Sequence, residues 1–192
     1  MSRPLPVLAL ASLLCASLPA AARAQAPATP PNDSVQADGQ FVRHQAADNM
    51  MEVQLGQLAE RRATNQMVKK FGEKMAIDHE KLQKQWTDLA HKHGLRFTPA
   101  LAAAQQSKVI GLRQAGRSEF DREYMITMIK GHTKDAAGLK AAIDSARSEP
   151  VRKMAAYALP IVQDHLLNAR AAAKEIGLDS TAVARSKVAE ND

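Results

Sequence analysis

The stretch Val68-Lys-Lys-Phe71-Gly-Glu-Lys-Met75-Ala-Ile-Asp-His79-Glu-Lys-Leu82-Gln-Lys-Gln-Trp86-Thr-Asp-Leu89 decides the fold. Its apolar residues recur in steps of three and four, which gathers them on one face of an α-helix and leaves Lys, Glu and Gln on the other. Asn65 stands where an N-cap belongs and Gly94 where a helix stops. The segment is therefore a long amphipathic helix with one anomaly, His79, set in the middle of its apolar stripe between Met75 and Leu82.

Three further long helices follow from the same periodicity. One runs from Asp38, a candidate N-cap, to about residue 63 and aligns Phe41, Asp48, Met51, Glu52, Leu55, Leu58 and Ala59. Another is capped by Ser118 and aligns Met125, Met128, His132, Ala136, Leu139 and Ile143. The last restarts at Ser148 with Pro150 in its first turn, aligns Val151, Ala155, Ala158, Val162, His165, Ala169, Ala172 and Ile176, and ends at Gly177. Thr98-Pro99 reads as a cap plus first-turn proline that opens a shorter helix reaching about Gln114. Alternating β-branched runs are lacking, and Gly and Pro are sparse, so the expectation is one all-α domain over residues 38–177.

Loop lengths suggest the topology. The first and last connections are tight, so each joins antiparallel neighbours. The long middle link carries the short helix and can span the ~40 Å length of such a bundle. A four-helix bundle with one crossover, and a short extra helix in the long connection, is preferred to a simple up-down-up-down order.

Four ionisable residues, Glu52, His79, His132 and His165, each occupy the apolar stripe of a different long helix. In an antiparallel hairpin, residues equidistant from the turn lie level. Glu52 and His79 are symmetric about position 65.5, and His132 and His165 about 148.5, both within expected turns. The two pairs then sit ~20 and ~25 Å from their turns, near the middle of the bundle. Burying such groups without partners costs several kcal/mol, so they must pair, change protonation or hold a ligand.

The ends of the chain bound where this happens. Arg3, an apolar run from Val7 to Leu18 and Ala22-Arg-Ala24 read as a secretory signal peptide over residues 1–24, which implies export to the periplasm. Cys15, the only cysteine, lies inside it, and Ser12-Leu-Leu14 before it is a poor lipid-attachment motif. The mature chain would have no thiolate to offer a metal. Residues 25–37, rich in Pro, Ala and Thr at their start, read as a disordered linker, and residues 178–192 as a flexible tail.

Removing residues 1–24 takes away two arginines and no acid, so the formal charge falls from +6 to +4. That excess is mild and scattered, without a basic stripe interleaved with aromatics, which excludes nucleic acid as a partner. It permits weak peripheral association with the envelope, including the outer membrane, but no second apolar run is long enough to span a bilayer. The long polar helix faces also permit a homo-oligomer.

The chain resembles domain-of-unknown-function family 4142. The matching stretches are Phe41 to Ala59, with Glu52-Val-Gln-Leu-Gly56 inside it; Met75-Ala-Ile-Asp-His79; Phe120-Asp121 followed by His132; and Leu159-Pro160 followed by Asp164-His165. The resemblance implies an exported bacterial protein with a ferritin-like helical bundle, and it supplies no reaction.

A ferritin-like label invites a di-iron reading, which the residues only half support. Carboxylate di-iron bundles use Glu-x-x-His on two helices. Here the residue three before His79 is Ala76, and that before His165 is Val162. Asp78-His79 and Asp164-His165 stand in place of the motif. Adjacent helical residues diverge by about 100°, so each Asp is expected to support a histidine of a neighbouring helix.

The candidate metal ligands are thus Glu52, His79, His132 and His165, backed by Asp78 and Asp164. Such a set suits a single transition metal ion: Zn, Mn, Fe, Ni or Cu(II). Met75 and Met128, each four residues before a histidine, allow a Cu(I) variant, although methionines at this spacing also serve as plain core. The competing reading is a polar network that fixes helix register without any ligand. His44 reads as a rim histidine paired with Asp48, His91 and His93 as helix-terminal cations, and Asp121 as too far from the centre to join it. Phosphate loops, nucleophile elbows and Cys/His pairs are missing, so no catalytic residue is assigned. Two classes compete: a metal-binding or redox protein, and a non-catalytic structural or envelope-stress bundle.

Overall fold

The computed structural model describes residues 33–186. These form seven helices and no strand: α1 (Asp33–Ala37), α2 (Gly39–Arg62), α3 (Gln66–Lys92), α4 (Ala103–Gln114), α5 (Phe120–Ser145), α6 (Glu149–Glu175) and α7 (Ser180–Arg185). The signal-peptide reading of residues 1–24 lies outside the described residues, as does most of the proposed linker.

Helices α2 and α3 form the tightest pair, because glycines let their backbones meet. A Cβ on Gly56 would lie 2.6 Å from the carbonyl oxygen of Gly72 and 2.7 Å from the amide nitrogen of Ala76. One on Gly72 would lie 2.6 Å from the Cβ of Ala59. At the turn, Asn65 caps α3 by accepting from the Met67 and Val68 amides. Gly94 and Gly177, with φ of 76° and 73°, supply the left-handed turns that end α3 and α6.

Contacts at the two ends fix the direction of the second hairpin. Asp121, at the start of α5, accepts hydrogen bonds from the Thr64 amide and hydroxyl and from the Asn65 amide in the α2–α3 turn. At the opposite end Asp38, just before α2, accepts from the Arg147 and Ser148 amides in the α5–α6 turn. Helix α4 packs along α2, with Gln105 donating to Asp48 and the Arg62 guanidinium donating to the carbonyls of Leu112, Arg113 and Ala115. The long link therefore crosses from one end of the molecule to the other. Helix α3 packs on α6 as well as on α2, and α5 on α2 as well as on α6.

Several sequence expectations change. Asp38 makes no side-chain cap for its own helix, since its carboxylate is committed to the distant turn. Thr98 opens no helix; α4 starts at Ala103, where Gln105 reaches back to the Ala102 amide. Helix α5 begins at Phe120, with Glu119 rather than Ser118 at the cap position. Helix α1 falls within the stretch read as linker and α7 within the stretch read as tail. Val35 of α1 is buried within the stretch read as linker, and Leu178 and Val183 are buried within the stretch read as tail.

The apolar core falls into two clusters. One, towards the α2–α3 turn, includes Phe71, Met75, Phe120, Tyr124, Met128 and Ala169. The other, towards the α5–α6 turn, includes Leu82, Trp86, Leu139, Val151 and Val162. On α3, α5 and α6 the break between the clusters falls at a histidine.

Candidate metal centre

That break is a buried polar layer. His79, His132 and His165 are 3%, 0% and 0% exposed. One nitrogen from each ring lies within 4.8 Å of the other two. His79 Nε2 lies 3.3 Å from His132 Nε2 and 3.2 Å from His165 Nδ1. The level predicted from the hairpins is the level at which these rings meet.

The outer nitrogens decide what the inner ones can do. His132 Nδ1 lies 2.9 Å from the Met128 carbonyl, which can only accept, so that nitrogen carries the proton. His165 Nε2 lies 3.2 Å from Asp78 Oδ2 and donates to it. Burial acts to raise the Asp78 carboxyl, but donation from Lys74 and His165 outweighs it and holds the group below the usual carboxylate range. His79 Nδ1 lies 2.9 Å from Asn49 Oδ1, and Asn49 Nδ2 donates to the Gln45 carbonyl at 2.6 Å. That second bond fixes the amide, so its oxygen faces His79 and the ring must donate.

Three outer N–H groups leave three inner lone pairs. Two contacts of 3.2–3.3 Å thus join acceptor to acceptor with no hydrogen between them. Protonation is a poor remedy. Burial, then the neighbouring imidazole charges, hold His79 well below its ordinary value. Burial likewise brings His132 down to about 3 and lowers His165. A metal ion relieves the repulsion directly. Tetrahedral coordination with bonds of about 2.0–2.1 Å spaces its donors by roughly 3.3–3.4 Å, close to the two measured separations.

Glu52 is level with the histidines but is not part of the converging group. It is 1% exposed, and its Oε2 has no hydrogen-bond partner. A small cavity of about 10 Å³ lies beside it, lined also by Asp48, Asn49, His79, Trp86 and Asp135. Burial, and then the charges of Asp135 and Asp48, push the Glu52 carboxyl well above its usual range. Asp135 is raised to about 7 by burial and by Asp48. Asp48 itself is committed to Gln105 and to the rim residue His44, whose Nε2 lies 2.9 Å away.

The supporting aspartates differ. Asp78 of α3 holds a histidine of α6. Asp164 is about half exposed, bound by Asn168 at 3.0 Å and Lys74 at 3.4 Å; it reaches His165 only through its charge, which acts to raise the imidazole. Met75 and Met128 belong to the apolar cluster, and the link from Met128 to His132 is its backbone carbonyl rather than its sulfur. The sequence reading missed Asn49 and Asp135. Both carry a signal: Asn49 is a poor mid-helix residue one turn before Glu52, and Asp135 lies three residues after His132 on the same face.

Fold and site together define an all-helical protein with a buried tri-histidine cluster of metal-ligand geometry, in which no helix among the described residues is long and apolar enough to cross a membrane. The sequence profile described as "Domain of unknown function (DUF4142)" matches residues 20–172, so the chain belongs to that family. No curated protein and no solved structure matches the chain.

Proposed function

We propose that this is an exported, ferritin-like bundle that binds one transition metal ion through His79 Nε2, His132 Nε2 and His165 Nδ1. One observation carries the reading: three imidazoles whose outer protons are pinned by Asn49, the Met128 carbonyl and Asp78 bring their bare inner nitrogens within 4.8 Å of one another. A polar network serving only packing would satisfy itself, and this one does not. The crossover between the two hairpins supports the ferritin-like description, and the leader-like composition of residues 1–24 supports export to the periplasm.

Three neutral imidazoles without thiolates favour Zn(II) or Cu(II) over the weaker-binding Mn(II) and Fe(II). Glu52 supplies the negative charge that a divalent ion needs in a dry interior, losing its proton when the ion arrives. It can complete the coordination sphere by side-chain rotation. The chain carries no assigned catalytic group, so binding is the activity proposed.

The test is elemental analysis of the untagged mature protein as purified, and again after loading with Zn, Cu, Fe or Mn and removing excess ion. One equivalent of zinc or copper per chain is expected, and none in the His79→Ala, His165→Ala double variant. Failure to retain a stoichiometric ion after any loading would refute the reading.

A further inference from the structure

Away from the histidines lies a cleft of about 810 Å³ between α5, α6, the α6–α7 turn and α7. Its floor is apolar, built by Ile129, Leu178 and Val183. Its rim is cationic: Lys134, Arg170 and Lys174 line it, and none of the three has an ion-pair partner among the described residues. Asp179, the one acid in the lining, is spent on the Ala182 amide at 2.7 Å, where it caps α7. Lys130 Nζ donates to the Ser186 carbonyl at 2.7 Å and ties the end of α7 over the cleft.

A volume of this size suits a small ligand, and an apolar floor under unpaired cations selects one with a hydrocarbon tail and an anionic head. We infer that the cleft binds a single-chain carboxylate amphiphile, a free fatty acid, with its tail on Ile129, Leu178 and Val183 and its carboxylate at Arg170 and Lys174. The planar guanidinium of Arg170 matches a carboxylate in bidentate fashion, and Lys174 adds a point charge one turn along the same helix. The site shares no residue with the metal centre and does not depend on it.

Isothermal titration of the full mature chain with dodecanoate tests this. One site per chain is expected, with affinity rising about fourfold for each methylene added between decanoate and dodecanoate. Arg170→Glu with Lys174→Glu should weaken binding at least tenfold. Ala184→Trp, on the exposed side of α7 and lining the cleft, should block it, with circular dichroism reporting an intact fold. His79→Ala should leave it unchanged. Equal affinity for dodecyltrimethylammonium, full competition by acetate or inorganic phosphate, or indifference to both cleft variants would overturn the inference.

Discussion

The imidazoles and the carboxylates of the polar layer lie side by side yet are finished to different degrees. Each histidine has its outer nitrogen fixed by a partner of its own, from Asn49, the Met128 carbonyl or Asp78. Glu52 has a partnerless oxygen, and burial works against charging both it and Asp135. The helices have thus oriented the neutral donors in advance, while on the proposed reading the negative charge stays latent until a cation draws it out. Preorganised ligands bind more tightly because their ordering cost is met during folding.

Breaking the finished half should have the largest effect. His79→Ala with His165→Ala is expected to lower zinc or copper affinity by more than about a hundredfold, measured by competition with a chromophoric chelator. Asn49→Ala and Asp78→Ala leave every ligand in place but free a ring, so each should cost about ten- to a hundredfold in the same assay. His44→Ala touches Asp48 on the rim and should leave affinity nearly unchanged. Equal losses for His44 and Asn49 would show that orientation of the ring is not what matters.

The spacing of the two halves depends on the α2–α3 crossing. Gly56→Ala or Gly72→Ala forces a methyl against backbone or a packed Cβ, and each should destabilise the fold by about 1–3 kcal/mol in urea denaturation.

The latent half gives the most pH-dependent effect. Asp135 has a folded value of about 7 against an ordinary 3.8, so the folded state holds its proton more tightly than the unfolded state. The associated stability is present at low pH and is lost as pH rises from about 4 through 7. Metal-free Asp135→Asn should therefore match the parent near pH 4 and be more stable at pH 8, as thermal melts at the two pH values would show. A gain at pH 4 alone would contradict the assignment.

Much of this was legible in the sequence, and the exceptions share a cause. Spacing along a helix gives height and approximate face, so the hairpin arithmetic brought His79, His132 and His165 to one level. It does not give the direction of a single residue within an apolar stripe more than 100° wide. Glu52, read as a fourth member of the set, lies outside the group of three nitrogens that come within 4.8 Å of one another. Asp78, expected from the Asp78-His79 pair to support a histidine of a neighbouring helix, lies beside His165 Nε2, whereas the Met128 carbonyl is backbone and leaves no mark in a pattern of side chains. The Asp38 cap failed for a similar reason: the residue carries a local cap signal, but the α5–α6 turn, more than a hundred residues on, takes its carboxylate.

The central claim is that three imidazole lone pairs meet at one ion. X-ray absorption at the metal edge of zinc- or copper-loaded protein tests it most directly. Three imidazole nitrogens at about 2.0–2.1 Å, identified by outer-shell scattering from the rings and reduced in His79→Ala, are expected. A shell of oxygens alone, or a spectrum that His79→Ala leaves unchanged, would contradict it.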